Sequence, residues 1–394
     1  MTAQAAAVGT VRDRILEARE LREPVRITGA GRWQDAGRPV RAARTIDLRN
    51  HAGIVEYVPG DLTLTAGAGT SLAEIARITG AERQWLPLDP FGSAEGTLGA
   101  TVATASCGPL AHAFGSPRDQ VLGLETVTGT GDVVRTGGRV VKNVAGFDLT
   151  RLFTGSWGTL AVLTEVTVRL RALPAAEAHL AVTVPDASVA GVAALARAAR
   201  ALRAEPYALE LVNRALALRL GLPPAAALLV RLGGNDASVA AQRDAVGALG
   251  HVVELQSGVW SALRAAEPSG AAVVRLPARP SDVAQCWGVI AAAAPDALVH
   301  ATLGRGTVRA ILPAADEGGR ATALLAFAHA APRWVGERLP AALWTEIDDV
   351  LAARPVSDDA ARSHRARVAL VRRIKDTYDP MHLLNPGILG EAIA

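Results

Sequence analysis

Lysine is almost absent from this chain. Of 41 basic residues only Lys142 and Lys375 are lysines, and the rest are arginine. Cysteine is as scarce: Cys107 and Cys286 lie far apart and form no Cys-x-x-Cys pair. That excludes a disulfide scaffold, a thiolate zinc site and an iron–sulfur cluster held by this chain, and no metal site is expected. It is compatible with a reducing compartment. Aromatic residues make up 4% of the chain, too few for a base-stacking platform. The net charge is 41 − 38 = +3, and the arginines are scattered rather than blocked, so no nucleic-acid partner is expected. No run approaches the roughly 18 apolar residues of a membrane span. The first 22 residues also lack the basic-then-apolar order of a secretion signal.

What is present is hydrophobic residue, 50% of 394, enough for two or three packed domains. Glycine is concentrated in residues 90–170, in the turns Gly96-Thr97-Leu98-Gly99, Thr128-Gly129-Thr130-Gly131 and Gly155-Ser156-Trp157-Gly158. Backbone at glycine can approach a ligand closely because no Cβ intervenes. Ala100, Thr101, Ala103, Thr104 and Ala105 leave room for something flat and large. The stretch reads either as a cofactor cradle built largely from main-chain N–H groups or as a glycine-rich β-domain with tight turns. Lys142 lies inside it, as a charge near the ligand, a loop-anchoring ion pair or a surface residue. A chain that otherwise uses arginine keeps lysine where a planar fork does not fit.

In chain order, residues 5–22 predict a helix, ended by Pro24. Residues 25–27 predict a strand that runs into Thr28-Gly29-Ala30-Gly31-Arg32-Trp33. Such a turn exposes successive N–H groups and suits phosphate oxygens, with a plain hairpin as the alternative. Strands follow at 45–48, 54–58 and 62–66, then a helix to about residue 79 capped by Thr70 or Ser71. Gly67-Ala68-Gly69 imitates a dinucleotide fingerprint, but Leu72 stands at the third glycine position. It is the only support for a self-contained NAD(P)-linked reductase.

Residues 171–178 read as a Pro/Ala linker. Beyond it strands (179–184, 207–212, 226–232, 252–255) and helices (188–203, 236–249) alternate. Strands at 271–276, 298–303 and 307–312 and helices at 281–293 and 319–330 follow. This pattern predicts an antiparallel sheet with helices on one face. Residues 359–378 form an Arg-rich amphipathic helix, stopped by Tyr378-Asp379-Pro380-Met381-His382-Leu383-Leu384-Asn385-Pro386-Gly387.

Three blocks carry a resemblance: TLGATVATASCG, RDQVLGLETVTGTGDVV and VVKNVAGFDLTRLFTGSWGTLAVLTEVTVRL, with YDPMHLLNPG at the end. Together they resemble the FAD-binding domain of the vanillyl-alcohol oxidase/p-cresol methylhydroxylase flavoprotein superfamily. KNVAGFDLTRLFTGSWG is similar to the FAD-binding subunits of bacterial three-subunit glycolate oxidases, with Trp157 where the catalytic-type sister subunit tends to have Glu. The likeness is strong over residues 20–175, weaker to 355, and returns at the end. It implies an α+β fold: a two-lobed PCMH-type FAD-binding domain (1–174), an α+β cap with antiparallel sheet (175–355), and a C-terminal helix and tail returning to the FAD domain (356–394).

By resemblance, Thr28, Gly29, Ala30, Gly31 and Arg32 form a first pyrophosphate loop. Gly96, Thr97, Leu98, Gly99, Ala100, Thr101, Thr104 and Gly108 form a second, along the pyrophosphate and flavin. Asp119 leads a strand under the ring and Val162 meets the pyrimidine edge; Lys142, singled out above by the scarcity of lysine, is a further cofactor-binding candidate. Covalent members often carry His in the first loop; Gly31-Arg32-Trp33 has none, so non-covalent FAD is expected. The imidazole- and Gly-rich substrate motif of related α-hydroxy-acid dehydrogenases is reduced here to His300-Ala301-Thr302-Leu303-Gly304-Arg305-Gly306. His300 is the candidate base, and Arg275 or Arg305 the candidate carboxylate clamp. The implied activity is glycolate or D-lactate oxidation, with electrons leaving through an iron–sulfur subunit beside a sister flavoprotein. The alternative is an accessory FAD-binding subunit that relays electrons or completes the assembly. The expected compartment is the cytoplasm, with any membrane association at the inner face and through partners.

Overall fold

Apolar spacing assembles the chain around one core in its first half and a sheet packed on both faces in its second. The structure, a computed structural model, describes residues 3–138, 148–314, 317–330, 334–352 and 358–390. The first core draws on residues from Val11 to Leu170 together with Leu384, and a second core, on one face of that sheet, on residues from Ala178 to Ile347.

The first helix, Ala3–Leu21, buries Val11, Ile15 and Ala18, one stripe at helical spacing. Strand Val25–Thr28 then pairs in parallel with Arg44–Asp47. A five-stranded antiparallel sheet follows, in the spatial order Ile54–Val58, Thr63–Gly67, Ala161–Arg169, Val121–Thr128, Val133–Gly137. Its central strands bury Leu64, Ala66, Leu124, Val127, Val162, Val166 and Val168. Helix Leu72–Ala81 is capped by Ser71, whose Oγ accepts from Glu74 N at 3.1 Å. Gly67 and Gly69 are packing glycines: a Cβ there would sit 2.2 Å from His51 O and 2.0 Å from Leu48 O. The space a dinucleotide would need at this turn is filled by the chain's own backbone.

The second core carries an eight-stranded antiparallel sheet. Its spatial order is Val252–Glu254, Ala176–Val184, Ala226–Gly234, Ala208–Val212, Leu298–Thr302, Thr307–Leu312, Ala272–Pro277, Val335–Arg338. Helices Val189–Ala201, Asp236–Gly247, Val283–Ala293 and Glu317–Ala330 cover one face. Two short helices unforeseen in the sequence, Arg214–Arg219 and Gly258–Arg264, cover part of the other with Leu216, Trp260 and Leu263.

The stretch expected to be a linker is a pair of strands. Arg171–Ala172 pairs with Gln84–Trp85, and Ala176 opens a nine-residue strand. Only the break around Pro174 separates them, since Ala-Glu-Ala-His already alternates as a strand requires. The helix Asp358–Tyr378 leads the chain back to the first core. There Val25 N donates to Leu383 O at 2.8 Å and Asn385 N to Val25 O at 2.9 Å. Among the described residues no helix is long and apolar enough to cross a membrane.

Candidate active site

The turn after the first strand is held open by the C-terminal tail. Asn385 Oδ1 accepts from Ile27 N at 2.8 Å, and its Nδ2 donates to Trp157 O at 2.8 Å. One side chain thus ties the strand that leads into the turn at 28–33 to the turn at 155–158. Gly31 has φ +69°, which glycine adopts without strain. Among the described residues, none accepts a hydrogen bond from the amides of Gly29, Ala30, Gly31 or Arg32. Four successive unengaged N–H groups make a concavity suited to an anion.

This turn is one wall of a cleft of about 610 Å³. Thr28, Gly29, Ala30, Gly31 and Arg32 line it on one side; Gly96, Thr97, Gly99, Ala100, Thr101 and Thr104 line it on another. Ala161 and Leu163 lie at its floor, and Arg264, Glu267 and Arg338 reach it from the second half of the chain.

The second glycine turn contributes differently from the first. Its amides are already engaged: Leu98 N donates to Thr70 O at 2.9 Å, Gly99 N to Ala68 O at 2.8 Å, and Ala100 N to Thr97 Oγ1 at 3.3 Å. Thr97 caps the helix Leu98–Thr104. A Cβ on Gly99 would come within 2.5 Å of Ala68 Cβ, so glycine here lets helix and strand meet. The turn therefore offers the cleft a face of small side chains.

Other sequence candidates sit apart from the cleft. Leu98 and Val162 are fully buried in the first core, Val162 between the cleft-lining Ala161 and Leu163. Asp119 accepts from Ser116 N at 2.8 Å and Oγ at 2.9 Å, closing a capping box on Pro117–Gln120, and is not among the cleft's lining residues. Its chemistry is local, because Asp three residues after Ser is itself a helix-start signal. Gly108 packs on Asp89, whose carbonyl a Cβ would meet at 2.1 Å, and lines a second cavity. Lys142 lies outside the described residues.

That second cavity, about 320 Å³, adjoins the cleft across shared walls that include Trp33, Phe91, Thr104 and Trp157. His300, Arg275 and Arg305 all line it. Sheet register brings two of them together: His300 pairs with Arg309, and Arg309 with Arg275, on three adjacent strands. His300 Nδ1 is 2.9 Å from Glu210 Oε2, and Thr302 Oγ1 donates to Glu210 Oε1. Arg275 Nε donates to Glu337 Oε1 at 2.8 Å, and Arg305 Nη1 to Ala111 O at 2.9 Å. Cys107 is also in the wall, and burial pushes its thiol up from the ordinary value.

Arg309, Glu337, Glu267 and Glu210 escaped the sequence reading. Arg309 is buried, with Nε on Glu337 Oε2 at 2.6 Å, Nη2 on Glu267 Oε1 at 2.5 Å, and its guanidinium 3.9 Å above the Phe91 ring. Burial opposes both the Arg309 and Glu337 charges. Their mutual attraction outweighs it, holding the guanidinium above and the carboxyl below their ordinary values. The signal was an ionisable residue inside an apolar strand, in Ala-Leu-Glu-Leu-Val and Thr-Val-Arg-Ala-Ile-Leu. Among the described residues no three His, Cys, Asp or Glu side chains converge as metal ligands would.

Residues 1–137 match the family model described as FAD binding domain. The N-terminal part of the chain is an FAD-binding domain. Its cofactor is FAD, and the four unengaged amides of residues 29–32 fit a diphosphate, as the adjoining small-residue wall fits a flat ring. The whole chain superposes on the crystal structure of p-cresol methylhydroxylase with substrate bound. The TM-score is 0.74, over 97% of this chain and 87% of that one, at 16% identity, so the two share a fold. In sequence, 159 residues (40% of the chain) are 43% identical to glycolate oxidase subunit GlcE of Escherichia coli. A further match is 30% identical over 232 residues, 57% of the chain, to glycolate oxidase subunit GlcD of Bacillus subtilis. These matches span 45% and 49% of the relatives' own lengths, about half of each. Both glycine turns that line the cleft lie within residues 1–137, and strands of the eight-stranded antiparallel sheet line the second cavity beside it.

Proposed function

We propose that this chain is the FAD-binding subunit of a multi-subunit 2-hydroxy-acid dehydrogenase, acting on a small acid such as glycolate or D-lactate. The observation that carries this is the adjacency of the two cavities: a cleft with an anion-binding turn shares its walls with a cavity holding His300, Arg275, Arg305 and Arg309. The likeness to two glycolate oxidase subunits supports the same substrate class.

In this reading the turn at 29–32 holds the diphosphate, and Lys142 is retained as a candidate charge near it. Attachment is non-covalent in this reading, because Gly31-Arg32-Trp33 offers no histidine where covalent members of the superfamily often carry one. FAD, when bound, supplies the acceptor for the hydride that leaves the substrate's Cα. The arginines orient the carboxylate, and His300 receives the hydroxyl proton. Phe91, Trp33 and Trp157 keep water from the reacting carbon. Two cysteines cannot carry a cluster, so electrons pass to an iron–sulfur partner, with a sister flavoprotein completing the assembly.

One observation favours the accessory reading. Arg275 and Arg309 share the Glu337 carboxylate, which offsets their charge before any substrate arrives. Anaerobic absorbance of the FAD-loaded chain separates the two. Bleaching of the visible flavin band by glycolate or D-lactate supports the dehydrogenase. A band that persists, yet bleaches once the sister subunit is added, assigns the chain an accessory role.

A further inference from the structure

Two buried nitrogens in the second cavity have no hydrogen-bond partner among the described residues. His300 is 3% exposed and its Nε2 has none; Arg309 is 1% exposed and its Nη1 has none. Both residues line the cavity and are paired across neighbouring strands. Buried polar groups are almost always hydrogen-bonded, so two orphans side by side point to a ligand that completes them.

The surroundings of Glu210 decide what His300 offers. Glu210 is fully buried, and its two oxygens face His300 Nδ1 and the Thr302 hydroxyl. Glu210 Oε1 already accepts from the Thr302 hydroxyl, and a carboxylate that accepts at both oxygens requires Nδ1 to be the donor. A neutral ring fixed in that tautomer keeps a lone pair on Nε2. The cavity then presents an acceptor at His300 Nε2 next to a cationic donor at Arg309 Nη1. An O–H beside a carboxylate matches that pair, which is the arrangement in a 2-hydroxy acid.

We propose that Glu210 is a positioning residue that fixes the His300 tautomer so that Nε2 takes the substrate hydroxyl proton, with Arg309 Nη1 as the carboxylate donor. This rests on the dehydrogenase reading above. The O–H bond breaks, its proton forms an N–H bond at Nε2, and its electron pair becomes the second C–O bond. The Cα hydrogen leaves with its own pair to the FAD acceptor already named. The alcohol carbon is oxidised by two electrons and the cofactor reduced by two.

The test uses FAD-loaded protein labelled with ¹⁵N-histidine. Long-range ¹H–¹⁵N spectra report which ring nitrogen is protonated, and His300→Gln identifies the His300 signals among eight histidines. The expected result is an Nδ1-protonated neutral ring in the wild type, lost or mixed in Glu210→Gln and recovered in part by Glu210→Asp. Anaerobic flavin reduction by D-lactate should then show a limiting rate lowered about 100-fold or more in Glu210→Gln. Its substrate Kd should stay within about threefold, whereas Arg309→Lys should raise Kd about tenfold or more. A His300 ring protonated at Nε2 in the wild type, or a Glu210→Gln variant that reduces flavin at the wild-type rate, overturns the proposal. If neither acid reduces the wild-type flavin, the dehydrogenase reading fails by itself, and the nitrogen spectra still decide the tautomer.

Discussion

Asp89 is a buried acid whose protonation the fold controls. Its carboxylate oxygens accept from Leu110 N at 3.2 and 3.1 Å. Burial pushes the carboxyl up to about 7, against Arg264 and the Leu110 amide, which pull it down. An unfolded chain releases that proton near the ordinary carboxylate value of about 3.9. Between these two values the folded state binds more protons, so stability from this group is full below about pH 4 and is lost as pH rises through about 7. Asp89→Asn stays neutral throughout and keeps an oxygen for Leu110. Relative to that variant, the wild type should lose roughly 2–3 kcal/mol of unfolding free energy between pH 5 and pH 8, measured by urea denaturation. Parallel profiles for the two proteins would show that Asp89 is already ionised at pH 5. Gly108, which lines the second cavity, packs directly on this residue.

At the scale of elements, the cleft depends on the loop at 28–33 lying against the start of helix Leu98–Thr104. The contact is tight: a Cβ on Gly29 would meet Thr97 Oγ1 at 2.4 Å. Gly29→Ala should therefore displace the loop and weaken FAD binding about tenfold, near 1.4 kcal/mol, in a fluorescence titration. Thr97→Ala removes the obstructing hydroxyl at a cost of about 1 kcal/mol for the lost cap. The double variant should bind FAD within about threefold of Thr97→Ala alone, a coupling that two independent sites would not produce. The loop at 28–33 was legible in the sequence as a glycine turn, whereas helix Leu98–Thr104 was not: its start read only as a second glycine turn, and Thr97 was not recognised as its cap. The cavity beside them was legible only in part. His300, Arg275 and Arg305 were singled out, but not the partners that set their roles: Glu210 and Glu337 come from strands remote in the chain, Glu267 from the loop after helix Gly258–Arg264, and Arg309 from the strand paired with that of His300. Pairing of Arg309 with both His300 and Arg275 is a property of sheet register, which no local pattern of residues specifies. The expected linker failed for a related reason: alanine next to proline looks slack in sequence, and it becomes strand once Arg231 and its neighbours offer an edge to pair with.

Across the whole molecule, the chain's end locks its beginning, and Lys375 is the residue that does it. Its ammonium is buried and donates to Thr159 O at 2.7 Å, Asp379 Oδ2 at 2.7 Å and Leu384 O at 3.2 Å. Asp379 in turn accepts from Leu383 N at 3.1 Å and Leu384 N at 2.8 Å, shaping the turn that leads to Asn385. Burial pulls the ammonium below its ordinary value, and Asp379 opposes it. Three acceptors converging on one nitrogen suit a compact, rotatable ammonium and not a planar guanidinium. This accounts for lysine here in a chain that otherwise uses arginine. Lys375→Met leaves the Asp379 charge buried without its cation and should cost about 3–5 kcal/mol in guanidinium denaturation. Lys375→Arg keeps the charge but overfills the site, and should still cost about 1–3 kcal/mol. In both variants FAD release should precede global unfolding, because the tail that Lys375 anchors carries Asn385, and Asn385 holds the anion-binding turn open. An arginine variant as stable as the wild type would mean that the fork fits after all. FAD release coincident with unfolding would mean that the turn keeps its shape without the tail.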